Sequence, residues 1–283
     1  MPVLKLKTGI ELYYDEWGSG DNVLLSARNF PSKISYYTID LASRGFHVYN
    51  IQLRGYGKSS PVTEEFGEKW YDVWAKDICD FADALGIDRF VYSGQSHGAG
   101  VGWMIAYRYP ERLKAFIGVV AGPHTRDGKE TGRSRLDTIE AAASPEKWKA
   151  YCDKRIGRMT VMAEACTDPK EKAKRLAMAE EAKDDWYNMK PATAMIDPHK
   201  PFAWCKTEEA IIEVLKTIKT PTLLLGGMHD DVSRPEDLLR SCRAVPDSKL
   251  VLYEAAGHGL SAQKKRDMLE DIVSWSRLRG LIK

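Results

Sequence analysis

The sequence predicts an α/β protein, with a doubly wound, mostly parallel sheet interrupted by an inserted helical segment. Three observations predict it. Apolar, β-prone runs alternate with amphipathic helical stretches in both halves of the chain, the pattern of parallel strands joined by helical crossovers. Between residues 123 and 219 no convincing strand occurs and helical signals dominate, so the insertion is expected there, with 1–122 and 220–283 forming the core. A Gly-x-Ser-x-Gly pentad, Gly94-Gln95-Ser96-His97-Gly98, stands where an apolar run stops and a run of small residues begins.

The elements follow in order. Residues 3–7 and 11–17 are short β-prone runs parted by Thr8-Gly9, an antiparallel hairpin. Residues 22–27 form a buried strand, Ser32 is a candidate N-cap for a helix to about Ser43, and 47–53 is the next strand. The turn Arg54-Gly55-Tyr56-Gly57-Lys58-Ser59 leads to residues 67–85, where Trp70, Trp74, Ile78, Phe81 and Leu85 recur at helical spacing. Residues 89–93 are a strand, the pentad follows, and a helix over 99–109 stops at Pro110. Residues 113–122 are a continuous apolar strand, as expected where helices cover both faces of a parallel sheet.

Within the insertion, Ser144-Pro145 and Asp168-Pro169 each start a helix with a cap and an N1 proline, the second running to Asn188. Pro191, Pro198 and Pro201 mark an irregular return, and a helix follows Thr207. Strands at 221–227 and 249–254, with helices at 235–244 and 262–278, complete the core.

Composition narrows the partners. Forty-two Lys and Arg nearly balance forty Asp and Glu, for a net charge of +2, and no basic block suggests nucleic acid. A small-molecule or peptide partner is expected, with a small-molecule substrate the leading reading. No stretch approaches the roughly 18 apolar residues of a membrane span, and the first residues hold no apolar signal region. Five widely spaced cysteines without a C-x-x-C pair predict reduced thiols, and with these observations a cytoplasmic location. His47, His199 and His229 have no partners at metal-ligand spacing, so neither metal nor cofactor is expected. Monomer and homodimer both stay open.

Chemistry in such sheets gathers in loops at the carboxyl ends of strands. Four loops fall there, at 28–31, 94–98, 226–235 and 255–259, and three of them carry a serine, an acid and a histidine. Glycines two residues either side of Ser96 suit a sharp strand-to-helix turn that holds the serine outward as a nucleophile. His258, in Gly257-His258-Gly259, is the candidate general base, since a serine hydroxyl is a weak nucleophile until a base takes its proton. The acid is Asp230 or Asp231, adjacent after one strand; one orients the histidine, the other is a helix-start or surface charge.

With Gly94 to Gly98, Arg54 to Ser59, Pro221 to Asp230 and Gly257-His258 in combination, the chain resembles the α/β-hydrolase family over nearly all of its length outside the insertion. The resemblance implies an eight-stranded core sheet with a helical cap over the site. It favours Asp230, because Gly227-x-x-Asp230 followed by Val232-Ser233 looks like the family's acid loop, while the extra residue before Pro235 keeps Asp231 open. It implies an oxyanion hole from the backbone N–H groups of His97 and Phe30. Where family members commonly carry His-Gly, this chain has Arg28-Asn29, and Pro31 restricts Phe30 to extended backbone.

Arg28 either bonds carbonyls of its own loop or faces the pocket and pairs with a substrate carboxylate. His124 either contacts substrate or is a solvated loop residue. The insertion is rich in aromatic and methionine residues, mostly packing; Trp186, Tyr187 and Trp204 are the candidates to roof the pocket. The resulting expectation is a serine hydrolase cleaving a carboxylic ester or lactone of a small, largely apolar substrate through an acyl-enzyme. The alternatives are a carbon–carbon bond hydrolase on the same triad, or a weakly catalytic ligand receptor.

Overall fold

Continuous apolar runs such as Thr222–Gly227, buried at every position, satisfy their backbone only by pairing on both edges, and they build the centre of one sheet. The computed structural model describes residues 2–29, 37–125, 133–196 and 200–283. Its strands are β1 (Val3–Lys5), β2 (Glu11–Trp17), β3 (Val23–Arg28), β4 (His47–Gln52), β5 (Phe90–Gln95), β6 (Leu113–Val119), β7 (Thr222–Gly227) and β8 (Ser248–Tyr253). They form an eight-stranded sheet in the order β1-β2-β4-β3-β5-β6-β7-β8. The β1–β2 and β2–β4 pairs are antiparallel, and every later pair is parallel.

Helices cover both faces. They are α1 (Thr38–Ala42), α2 (Trp70–Ala84), α3 (His97–Arg108), α4 (Arg133–Ala141), α5 (Pro145–Glu164), α6 (Pro169–Asn188), α7 (Glu208–Thr217), α8 (Pro235–Ala244), α9 (Leu260–Gln263) and α10 (Lys265–Leu278). Strand side chains alternate between two apolar layers, as the two-residue period requires. Leu25, Tyr92, Phe116 and Leu224 join Trp74 and Phe81 of α2, Met104 of α3 and Leu238 of α8. Leu24, Val91, Ile117 and Leu225 join Leu41 of α1 and Met268, Ile272 and Trp275 of α10 on the other face.

The helical insert is α4–α6, between β6 and β7, and no strand occurs there among the described residues. Its helices start where local chemistry fixes them: the Ser144 side chain accepts from the Lys147 N–H at 3.2 Å and the Asp168 side chain from the Glu171 N–H at 2.8 Å. A small core of Trp148, Cys152, Ile156, Ala182, Trp186 and Met189 holds α5 to α6. The α7 helix, grouped with the insertion by sequence, instead packs Ile211 and Leu215 into the sheet's larger apolar layer.

Three boundaries differ from expectation. The strand expected over 113–122 ends at Val119, because Val120 takes a positive φ of 47° and turns the chain out of the sheet. The closing helix is broken at Lys264, which has non-helical backbone between α9 and α10. The helix expected from Ser32 is α1, starting at Thr38; Ser32 lies outside the described residues.

The insert is tied to the core by charge as well as by apolar contact. Asp185 of α6, 4% exposed, accepts from the Gln52 amide at 2.6 Å and pairs with Lys58 at 3.0 Å. The fully buried Arg28 guanidinium pairs with Asp15 at 2.8 Å and lies 3.8 Å from Asp185. Two cations and two carboxylates thus balance in a largely buried site. Removing one partner from such a group leaves charge stranded, which costs about 3–5 kcal/mol. Asp185→Ala is therefore expected to lower unfolding stability by about that amount in urea melts, and a loss under about 1 kcal/mol would mean that solvent already reaches the network.

Candidate active site

The site forms where β5 and β6 end side by side. At the end of β5 the chain turns through Ser96, whose φ of 50° and ψ of −113° no ordinary strand or helix residue adopts, straight into α3. A Cβ on Gly94 would collide with the Gly98 carbonyl, and one on Gly98 with the Ala27 carbonyl, so only glycines allow this turn. The Ser96 N–H donates to the Val119 carbonyl of β6 at 2.9 Å, which holds the turn against the sheet.

Ser96 Oγ lies 2.8 Å from His258 Nε2. The other ring nitrogen of His258, Nδ1, lies 3.0 and 3.1 Å from the two carboxylate oxygens of Asp230. Asp230 follows β7 and His258 follows β8, so adjacent parallel strands deliver both. Burial alone would raise the Asp230 pKa, but the hydrogen bond and charge of His258, and the N–H groups of Ser233 and Val232, outweigh it and hold it below the ordinary carboxylate range. Those two N–H groups donate to Asp230 Oδ1 at 2.9 Å each. Asp231 is exposed and has no such contacts to His258. Ser233 also accepts from the Gly122 N–H at 2.8 Å, joining the acid loop to the chain that enters the insert.

A cleft of about 210 Å³ opens beside Ser96, and its walls include Tyr71, His97, Trp103, Val120, His124, Lys200, Pro201 and Val232. Among the described residues, no aspartate or glutamate lines it. His97 is the first residue of α3, so its backbone N–H is among the donors a helix leaves unpaired. Its ring packs against Tyr71 and Trp74, with Nδ1 3.2 Å from the Tyr71 hydroxyl, while Nε2 is buried without a hydrogen-bond partner among the described residues. Burial lowers its pKa to about 4.

His124 stands in the cleft wall. Phe30 lies outside the described residues. Arg28 is not among the cleft residues: its guanidinium is committed to Asp15, Asp185 and the Tyr13 ring, so the pairing with a substrate carboxylate is replaced by a structural ion network.

The three roof candidates are corrected as well, for none lines the cleft. Trp186 is buried between α5 and α6, with its indole N–H directed at Met159 Sδ. Tyr187, one position on and so about 100° round the helix, is half exposed and bonds Asp153 at 2.6 Å. Trp204 packs beside Tyr107 and under Arg108 on the outer surface. The residues that do wall the cleft and escaped the sequence reading include Tyr71, Trp103 and Val120. One signal was available for Tyr71: Gly100 lies four residues past the serine, and a Cβ there would strike the Tyr71 ring.

A histidine held neutral has a consequence for pH. Because the folded pKa of His97 lies below its ordinary 6.5, the unfolded chain binds that proton first, and His97's contribution is whole above pH 6.5 and lost as pH falls towards 4. His97→Gln is expected to flatten the stability slope in that window, measured as urea midpoints at several pH values; an unchanged slope would mean the ring titrates alike folded and unfolded.

A family model described as "Serine aminopeptidase, S33" matches residues 32–265. Bifunctional epoxide hydrolase 2 of Sus scrofa is 36% identical over 115 residues, which are 39% of this chain; the chain spans only 20% of that protein's length. A bifunctional esterase/perhydrolase of Acinetobacter calcoaceticus is 23% identical over 98% of this chain and 100% of its own. Among solved structures, a thermophilic esterase from Thermogutta terrifontis superposes with a TM-score of 0.69 at 23% identity, covering all of both chains, a likeness of fold. With the sheet order, the serine turn and a family match spanning most of its length, the chain belongs to the α/β-hydrolases, in the family described as Serine aminopeptidase, S33.

Proposed function

We propose that the protein is a serine hydrolase cleaving a carboxylic ester or lactone of a small, largely apolar substrate through an acyl-enzyme. The observation that carries the reading is the continuous relay from Ser96 Oγ to His258 Nε2 at 2.8 Å and from His258 Nδ1 to Asp230 at 3.0 Å. Ser96 attacks the carbonyl carbon while His258 Nε2 takes the hydroxyl proton. The carbonyl oxygen becomes an oxyanion and is received by the His97 backbone N–H, with Phe30 as the second donor in this proposal. Collapse expels the alcohol, which takes the proton from His258. Water, deprotonated by the same ring, then releases the acid and restores Ser96. Asp230 keeps Nδ1 protonated and stabilises the ring cation throughout.

The cleft supports the substrate class. Its volume of about 210 Å³ is below the roughly 300–1,000 Å³ typical of drug-sized ligands. Peptide N-termini, the rival raised by the family's description, carry an ammonium group, and among the described residues the cleft has Lys200 and no carboxylate to receive it. A serine rather than an aspartate at the turn argues against epoxide opening, which proceeds through an aspartate nucleophile in this superfamily. His124 is proposed to touch the substrate from the cleft wall.

Short aryl esters and lactones, assayed beside an alanine anilide, test the reading. Ser96→Ala is expected to lower kcat by about 10⁴ to 10⁶ with the fold intact; near-normal turnover would sink it. Asp230→Asn is expected to lower kcat by about 10³ to 10⁴, whereas Asp231→Asn stays near wild type, and the reverse order would move the acid to Asp231. Preferential turnover of the anilide would favour peptidase chemistry. A Ser96 adduct with a phosphonate but no ester turnover would favour the carbon–carbon or receptor alternative.

A further inference from the structure

Beside Ser96, a second residue with a side chain sits in left-handed backbone at the carboxyl end of the next strand. Val120 has a φ of 47°, a conformation a β-branched residue rarely adopts. Its N–H donates to the Leu225 carbonyl at 2.7 Å, and the preceding carbonyl, Val119, accepts from the Ser96 N–H at 2.9 Å. Both backbone positions are therefore fixed by the same three strands. Val120 is 2% exposed, lines the Ser96 cleft, and belongs to the apolar layer that holds Ala256 and Leu260.

A glycine would meet the backbone requirement without strain. Val120 both lines the cleft and belongs to the apolar layer behind it, so it stands at the boundary between them. Backbone strain of this kind clusters at functional sites, where the surrounding structure maintains it. We infer that Val120 is a specificity-determining residue: its branched side chain closes the cleft floor next to Ser96 and limits the size of the substrate group bound against β6. This rests on the ester-hydrolase reading for its substrate and on the cleft geometry for its position.

The prediction separates a wall from a mere core filler. Val120→Ala and Val120→Gly, with Val120→Ile as the opposite change, are assayed on two ester series, one lengthened or branched in the acyl group and one in the alcohol. In at least one series, the ratio of kcat/KM for the largest to the smallest member is expected to rise tenfold or more in the truncated variants and fall in Val120→Ile. Labelling of Ser96 by short and long alkylphosphonates is followed by intact mass in parallel, and its rate ratio should move the same way. Thermal melts add a second readout: Val120→Gly, free of the backbone strain, is expected to melt above Val120→Ala.

Size ratios unchanged in every series and in labelling would overturn the inference, even if the melts fall. Should wild type turn over no ester yet be labelled, the ester reading fails while the labelling ratio still decides the role of Val120. No labelling by any phosphonate would overturn both. If the truncated variants do not fold, Val120→Ile decides, and an unchanged size ratio in that variant overturns the inference.

Discussion

The strained backbone at Ser96 is the constraint on which the site depends. A left-handed conformation costs an L-residue roughly 1–2 kcal/mol, and here it is maintained by packing that leaves no room for relaxation. Gly94 and Gly98 bring strand and helix backbones together, and the Ser96 N–H is tied to β6. The result places the hydroxyl, the His97 N–H and the N-terminus of α3 at one point. An N-terminal helix turn carries partial positive charge and unpaired donors, so in the proposed reaction the elbow would supply both a place to attack from and a place for negative charge to develop.

Three parallel strands position what meets the serine. β6 anchors the elbow, while β7 and β8 end in the loops that carry Asp230 and His258. Asp230 is itself braced by two backbone donors of its own loop, and Ser233 in that loop is bonded to Gly122 at the entry to the insert. The Asp230 loop and the chain entering the insert are therefore joined by a hydrogen bond. At the ends of β3 and β4, Asp185 reaches from α6 to Lys58, Gln52 and Arg28, so the insert is held at both of its ends.

Legibility in the sequence followed the range of the interaction involved. Helix starts at Ser144, Asp168 and Thr207 are local events, each a side chain bonding an N–H three residues on, and they could be read directly. The alternation of strands and helices and the serine turn were legible because apolar runs and glycine spacing encode them. The end of β6 was not, since the positive φ of Val120 depends on neighbouring strands. Nor were the partners of Arg28, because Asp15 and Asp185 come from a different strand and from the insert. The aromatic residues of the insert were visible as a set, but which way each faces was not. Trp186 and Tyr187 are neighbours in sequence, yet the rotation between them buries one and exposes the other.

The cleft's charge character follows from the same geometry and bears on what it can bind. The only carboxylate of the relay, Asp230, is turned away from the cleft towards His258 and is held ionised by its hydrogen bonds. The remaining polar wall is made of histidines, Lys200, a tyrosine and hydroxyls. Of these His97 is kept neutral by burial, so it presents the site with a polar but uncharged ring at ordinary pH. Among the described residues this wall has no carboxylate to neutralise a cationic group, and burying one without a partner is costly. In the proposed reaction a neutral carbonyl compound would meet no such penalty, and the negative charge developing on it would fall near the helix N-terminus, where unpaired donors lie. In the proposed hydrolase, discrimination against amines and stabilisation of the oxyanion would thus both follow from one arrangement of backbone and side-chain charge.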